Sequence, residues 1–122
     1  MTEKSYEERV AEAKTRIREV TPAQMIEERR RGADAGTVYL DVREPKEWDQ
    51  GRLPGAVLLP LGRVAEEVAA VVPRDRRVVI YCARGNRSAL AADVMRELGY
   101  GDVASMAQGI RGWADAGGEI ER

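Results

Sequence analysis

The chain has 122 residues, of which 43% are hydrophobic and 34% are charged, a length and composition suited to one globular domain with its own core. Its formal net charge of −1 gives no electrostatic basis for binding nucleic acid or an acidic membrane. The chain has no histidine and a single cysteine, Cys82. This composition excludes an intrachain disulfide, a thiolate-rich zinc site and any catalytic site that uses an imidazole. If Cys82 is reactive, groups other than histidine must stabilise its thiolate.

The N-terminal segment, residues 1–20, is predicted to form an amphipathic helix that packs on the domain by its apolar stripe. The stripe recurs at three- and four-residue steps, at Tyr6, Val10, Ala13, Ile17 and Val20. The segment lacks the apolar stretch of a signal peptide. The longest apolar run of the chain, 78–83, is far shorter than the ~20 residues of a membrane helix. We therefore expect a cytoplasmic protein with a reduced thiol and no membrane contact.

The rest of the chain, residues 21–122, alternates helical and strand patterns. Thr21 and Pro22 are typical of a helix start, and this helix is predicted to run to about Arg31. Short apolar runs predict strands over 38–40, 56–58, 78–81 and 103–105. Helical patterns lie between and after them, over 45–49, 64–72, 88–98 and 110–116. Such alternation predicts an α/β domain with a central, mainly parallel sheet flanked by helices.

The segment after the predicted strand 78–81 is the best candidate for a catalytic site. Cys82 stands at the carboxyl end of this strand, where open α/β sheets bind their ligands. The loop that follows contains Gly85 and Asn86, residue types that tolerate a left-handed backbone and allow successive amides to turn inward around an anion. Ser88 is predicted to cap the next helix. The pattern predicts an anion-binding loop at Cys82.

Arginines concentrate near Cys82 in the sequence. Between Arg74 and Ser88 there are five arginines and one aspartate, a local sum of +4, and Arg84 and Arg87 lie within the loop itself. A helix N-terminus and nearby guanidinium groups stabilise a thiolate without an imidazole base. We therefore predict that Cys82 is a nucleophile and that Arg84 and Arg87 bind an anionic substrate. The alternative is that Cys82 is simply a small buried hydrophobic residue.

The chain resembles the rhodanese-like sulfurtransferases in their small single-domain form. Four separated segments carry the resemblance: Leu40–Pro45 with Glu47 and Trp48, Gly51–Ala56, Tyr81–Ser88 and Gly109–Trp113. The resemblance covers residues 21–122 and implies a three-layer α/β domain with about four or five strands, to which the helix 1–20 is an addition. Two positions depart from the family pattern. Arg52 stands where the family often has histidine, and Gln108 precedes Gly109 where a second glycine is common.

The resemblance also implies a reaction. In the family, a cysteine thiolate takes a sulfane sulfur from thiosulfate or a related donor to form a persulfide, and a thiol or cyanide then removes that sulfur. By this resemblance Cys82 is the catalytic residue, and neither a metal nor an organic cofactor takes part. The residues that would bind the donor and the persulfide form the loop: Ala83, Arg84, Gly85, Asn86, Arg87 and Ser88.

Other functions remain open. A persulfide relay would take sulfur from a protein donor and pass it to a protein acceptor, with little thiosulfate turnover, and it would need the same Cys82. A cysteine phosphatase or arsenate reductase would need five residues between the cysteine and the arginine of its loop. Four residues separate Cys82 from Arg87, a loop that suits a single sulfur better than a phosphate. A binding module of this fold would usually lack the cysteine.

Four conspicuous side chains outside the loop are predicted to have structural roles. Asp41 and Arg43 follow a predicted strand and are expected to anchor neighbouring loops by hydrogen bonds. Trp48 and Trp113 occupy helical positions and are expected to lie in the core or in a pocket wall.

Overall fold

The structure is a computed structural model and describes residues 3–122. Its helices and strands alternate along this part of the chain. In chain order they are α1 (Tyr6–Arg16), β1 (Arg18–Val20), α2 (Pro22–Arg30), β2 (Val38–Asp41), α3 (Pro45–Gln50), β3 (Val57–Leu58), α4 (Leu61–Val71), β4 (Val78–Tyr81), α5 (Asn86–Glu97), β5 (Val103–Met106) and α6 (Gly109–Asp115). Within residues 3–122, no helix combines the length and apolar character that a bilayer crossing requires.

The five strands form one sheet in the order β1-β5-β4-β2-β3, and every neighbouring pair is parallel. All residues of β4 are buried, as expected for a Val/Ile-rich strand that is covered on both faces. The predicted α/β architecture with a parallel sheet is therefore confirmed. The predicted strands match β2 to β5 closely, whereas α4 begins three residues before the predicted start, at Leu61.

Two hydrophobic cores lie on opposite faces of the sheet, because successive strand residues point to opposite sides. Ile80 and Cys82 belong to the core beneath α4 and α5. Val79 and Tyr81 belong to the other core, which α2 and α6 cover and which contains Trp113. The domain therefore has three layers, and the polypeptide that leaves β4 enters the loop from the middle of the sheet.

The N-terminal helix is shorter than predicted. It ends at Arg16, and Arg18–Val20 forms the edge strand β1, which pairs with β5. Ile17 and Val20 matched the helical spacing, but Ile17 packs on the core beneath α5 and Val20 packs on the opposite core. The free edge of β5 offers backbone hydrogen bonds that the sequence pattern does not reveal. The prediction of helix through Val20 was therefore wrong.

Candidate active site

Cys82 lies directly after β4, and its sulfur is the acceptor for two backbone amides of the following loop. The Gly85 N–H donates to Sγ over 3.1 Å and the Ser88 N–H over 3.4 Å. The residue is 1% exposed. Hydrogen bonds donated to sulfur favour the anionic form of a thiol over the neutral form. The loop thus directs two hydrogen-bond donors at the sulfur in a site that has no histidine.

The loop turns into α5 at Gly85, which adopts a left-handed conformation with φ 101°. A side chain at this position would be strained, and its Cβ would lie 3.0 Å from the backbone nitrogen of Gln108. Because Gly85 is the N-cap of α5, the prediction that Ser88 caps this helix was wrong. Ser88 lies inside the first turn of α5, fully buried, with its amide directed at the sulfur of Cys82.

Ser88 and Ser105 form a buried hydroxyl pair behind the sulfur. The Cys82 Sγ–Ser88 Oγ distance is 3.5 Å, and the two serine hydroxyl oxygens are 2.8 Å apart. When the thiol is protonated, Cys82 donates to Ser88; when it is a thiolate, the serine hydroxyl can turn and donate to sulfur. Sequence reasoning missed Ser105, although a serine within the otherwise apolar run Val103–Met106 is a detectable signal.

The first turn of α6 is hydrogen-bonded to the backbone of the loop. Backbone amides of Ile110 and Arg111 donate to the carbonyl oxygens of Cys82 and Ala83 over 2.9 and 3.2 Å. Gly109, with φ 55°, lies so close to the loop that a Cβ there would come within 2.6 Å of the Ala83 carbonyl carbon. This close approach excludes any side chain at position 109 of this chain.

The positive charge near Cys82 in sequence is largely dispersed or neutralised in space. Arg74, Arg76 and Arg77 precede β4 and therefore lie at the end of this strand opposite Cys82. The strand between them and Cys82 is about 13 Å long at about 3.3 Å per residue. Arg74 and Arg76 donate to backbone carbonyls, and Arg77 pairs with Glu28. The local sum of +4 was therefore a poor measure of the charge at the thiol.

Arg87 is held by a carboxylate that sequence reasoning did not connect to the loop. Its guanidinium nitrogens donate to the two oxygens of Glu47 over 2.7 and 2.9 Å. Hydrogen bonding to Arg87 is the main reason that the pKa of Glu47 falls to about 2, so this carboxylate stays ionised at neutral pH. The proximity could not be read from the chain, because the two residues lie 40 positions apart.

Arg84, in contrast, is exposed and has no carboxylate partner within residues 3–122. A cavity of about 210 Å³ lies over the sulfur, and Arg84 is one of its lining residues. A larger adjoining cavity of about 590 Å³ is lined by Arg84, Gln108 and Arg111, among others. The structure thus brings most of the predicted loop residues to the smaller cavity, of about 210 Å³. Its lining residues are Tyr6, Cys82, Ala83, Arg84, Asn86 and Arg87. Of these, Tyr6 was missed as a site residue.

Tyr81, the neighbour of Cys82 in sequence, is not placed to act as its base. Its side chain lies in the core on the opposite face of the sheet, and its hydroxyl oxygen accepts a hydrogen bond from the Leu53 amide over 3.2 Å. Burial raises the pKa of Tyr81 well above its usual value, so the phenol stays protonated. The loop amides and hydroxyl groups are what surround the sulfur.

The side chains predicted to be structural mostly have that role. Asp41 and Arg43 form a buried pair, and Arg43 also donates to the Gly51 carbonyl over 2.7 Å, which ties the end of β2 to the segment after α3. Trp113 is buried in the core, as predicted. Trp48 lies in neither core and lines no described cavity near Cys82; its ring is covered by the Arg52 guanidinium at 4.8 Å. The predicted place of Trp48 in the core is therefore not observed.

Known proteins share sequence similarity and fold with this chain. The sequence pattern of the rhodanese-like domain matches residues 21–116. A protein of Allochromatium vinosum named sulfurtransferase is 41% identical over 86 residues, which cover 70% of this chain and 79% of that protein. The Mycobacterium tuberculosis protein named "Probable adenylyltransferase/sulfurtransferase MoeZ" is 40% identical over 76 residues; the match covers 62% of this chain and only 19% of that protein.

A solved structure extends the similarity to the N-terminal helix. A Rhodopseudomonas palustris protein of unknown function, described as a possible tyrosine phosphatase, superimposes with a TM-score of 0.88 at 32% identity. The superposition covers 99% of this chain and 97% of that one. The helix that precedes the matched domain is therefore part of a fold found in another protein.

Proposed function

Because the chain belongs to the rhodanese-like domain family, we propose that it is a sulfurtransferase that carries sulfane sulfur as a persulfide on Cys82. The donor is thiosulfate or a related sulfane compound, and the acceptor is a thiol or cyanide. The observation that carries the proposal is the set of groups around the Cys82 sulfur. The sulfur accepts hydrogen bonds from two backbone N–H groups beside a small cavity that is also lined by Arg84, an arginine with no carboxylate partner among residues 3–122. We further propose that residues 21–122 form the catalytic domain and that the protein acts in the cytoplasm.

In the first half-reaction the Cys82 thiolate attacks the outer sulfur of thiosulfate. A new S–S bond forms, the S–S bond of thiosulfate breaks, and sulfite leaves with the electron pair of that bond. The total charge is the same before and after the step, and the enzyme carries the negative charge on the outer sulfur of the persulfide. Arg84 would bind the sulfonate end of the donor, since its exposed guanidinium forms no ion pair within the part of the chain that the structure describes. The loop amides would stabilise the sulfur anion throughout.

In the second half-reaction the acceptor removes the outer sulfur. A thiol acceptor gives its proton to the persulfide anion, and the resulting thiolate attacks the outer sulfur. The S–S bond to Cys82 breaks, the acceptor leaves as a new persulfide that keeps the proton, and the Cys82 thiolate is regenerated. The chain has no second cysteine, so its own residues cannot resolve the persulfide as a disulfide. The scheme is covalent and ping-pong, and the sulfur must leave on another molecule.

The geometry of Arg87 argues against phosphatase or arsenate reductase activity. A cysteine phosphatase uses the guanidinium fork of its loop arginine to bind two phosphate oxygens. Here both donor nitrogens of the Arg87 fork are engaged by Glu47. The carboxylate would also repel a phosphate or arsenate in the same place. The four-residue spacing between Cys82 and Arg87 and this pairing together favour sulfur transfer.

Incubation with thiosulfate tests the proposal directly. We expect the intact chain to gain the mass of one sulfur atom, with sulfite released in equal amount, and cyanide to remove that mass as thiocyanate. Mass spectrometry of the protein before and after each addition measures both steps. A chain that gains no sulfur from thiosulfate would contradict thiosulfate as the donor.

Arg87→Ala is expected to lower kcat/KM for thiosulfate by about 10- to 100-fold, the range expected when a charged hydrogen-bonding group is lost. The substitution removes a cavity wall and leaves the Glu47 carboxylate unpaired beside the anionic donor. Steady-state kinetics with cyanide as acceptor measure the effect. Adding Glu47→Gln should restore part of the loss, because it removes the repulsive charge.

Arg30→Ala, at an exposed arginine far from the loop in sequence, is the control and should change the rate less than twofold. Equal effects at Arg87 and Arg30 would show that the loop arginine has no part in the reaction.

A persulfide relay between proteins is the second candidate, and one observation favours it. The cavity of about 590 Å³, which shares Arg84 with the cavity at Cys82, is lined by two arginines, Arg84 and Arg111, and one carboxylate, Asp115, a positive excess that suits an acidic surface of a protein donor or acceptor. Loading of Cys82 from a persulfidated cysteine desulfurase can be compared with loading from thiosulfate at equal sulfur concentration. Faster loading from the protein, lost in Arg84→Glu and Arg111→Glu, would identify a relay. Faster loading from thiosulfate would identify a small-molecule sulfurtransferase.

A further inference from the structure

The N-terminal helix contributes a side chain to the cavity over Cys82. We propose that Tyr6 is the wall that limits the size of molecules that can reach the sulfur, so that α1 determines which donors and acceptors this site admits. The inference deepens the proposed function, but the contacts that support it concern access to Cys82 and are independent of the chemistry that follows.

Tyr6 is the first residue of a helix that has a capped N-terminus and is joined to α5 near its other end. Ser5 caps the helix with a reciprocal pair of hydrogen bonds to Glu8, so the helix begins at Tyr6. At the other end Arg16 forms a bidentate pair with Asp93 of α5, with N–O distances of 2.8 to 3.2 Å.

Between these ends, the buried residues Val10 and Ala13 contribute to the contact of α1 with α5. Because α5 begins at the catalytic loop, its contact with α1 holds the first turn of α1 beside that loop. Tyr6 therefore occupies a defined place at the cavity even though its side chain is 44% exposed.

Tyr6 borders two neighbouring cavities. One, of about 210 Å³, is lined by Tyr6 together with Cys82 and the loop. The other, of about 350 Å³, runs along α1 and is lined by Tyr6, Val10, Lys14 and others. Tyr6 and Asn86 are the residues common to both linings. Removing the phenol ring would join the two volumes and give larger molecules a path to the sulfur.

Alkylation of the single cysteine tests this role without relying on sulfur transfer. Two reagents with the same reactive group, iodoacetamide and N-benzyliodoacetamide, differ in size, and mass spectrometry of the intact chain follows the rate of each. In Tyr6→Ala we expect the rate ratio of the large to the small reagent to rise about tenfold over the native protein, the lower end of what a steric contact contributes to discrimination. Tyr6→Phe keeps the ring and should keep the native ratio. Val71→Ala, which truncates an exposed apolar side chain of α4 outside the cavities near Cys82, is the matched control.

The outcomes decide the matter in each case. A ratio in Tyr6→Ala within twofold of the native ratio would overturn the proposal, and so would an equal rise in Tyr6→Phe, since the hydroxyl rather than the ring would then be responsible. Thermal unfolding checks that Tyr6→Ala is folded. If it is not, Tyr6→Leu replaces it, because leucine keeps an apolar side chain but lacks the ring. Tyr6→Leu should raise the rate ratio, and an unchanged ratio in this variant would overturn the proposal. Failure of thiosulfate to load the native protein would contradict the proposed function and leave this measurement intact.

Discussion

Cys82→Ser is expected to abolish sulfur loading from thiosulfate and to lower the rate of sulfur transfer by at least about a thousandfold, as removal of a covalent nucleophile does in other enzymes. A serine hydroxyl is not ionised near neutral pH and cannot carry a sulfane sulfur as a persulfide. The substitution keeps the shape of the side chain, so the amides of Gly85 and Ser88 can bond the new oxygen and the fold should persist. Mass spectrometry after incubation with thiosulfate, together with thiocyanate formation, measures the loss.

The control for this variant is its own thermal unfolding, which should show a cooperative transition near that of the native protein. A sulfur adduct of undiminished size on Cys82→Ser would overturn the assignment of the nucleophile, because no other cysteine is present to hold it. Since the alternative interpretation makes Cys82 a mere buried hydrophobe, full activity in this variant would favour that interpretation.

Arg43→Ala is expected to destabilise the fold by about 3–5 kcal/mol, the cost of leaving a buried charge without its partner. Asp41 is fully buried and Arg43 is 5% exposed, and their side chains form a bidentate pair with N–O distances of 2.8 to 3.1 Å. The same guanidinium donates to the Gly51 carbonyl, so the substitution also leaves a buried backbone acceptor without this bond. Urea unfolding followed by circular dichroism measures the change in the free energy of unfolding.

An exposed arginine–carboxylate pair provides the comparison. Arg63 and Glu67 form a bidentate pair on the surface of α4, and Arg63→Ala should leave the urea midpoint almost unchanged because solvent screens the interaction. Adding Asp41→Asn to Arg43→Ala should restore part of the stability, because it removes the buried charge. A midpoint for Arg43→Ala equal to that for Arg63→Ala would show that the buried pair does not stabilise the fold.

Most of the sheet and the position of the loop after β4 could be predicted because their signals are local. An apolar run such as 78–81 reads as a buried strand whatever surrounds it, and Gly85 marks the turn that follows. The errors concern features that depend on distant partners. Residues 18–20 have an ambiguous pattern and become strand β1 only because β5 leaves an edge unpaired. Serine is a residue type that often caps helices, but the N-cap of α5 is Gly85, three residues before Ser88, in a left-handed conformation.

The sequence by itself indicated the chemistry that we propose for this protein. With one cysteine and no histidine, a reactive thiolate would need groups other than an imidazole to stabilise it, and the loop after Cys82 offers backbone amides next to a helix start. Only the tertiary structure decided which groups meet at that thiol. Sheet order and helix packing bring Glu47 to Arg87, Ser105 to Ser88 and Tyr6 to the cavity, and they carry the arginines before β4 to the far end of the strand. The physical reason is that charge pairing, hydroxyl contacts and cavity walls depend on distance in space, whereas a sequence pattern records only distance along the chain.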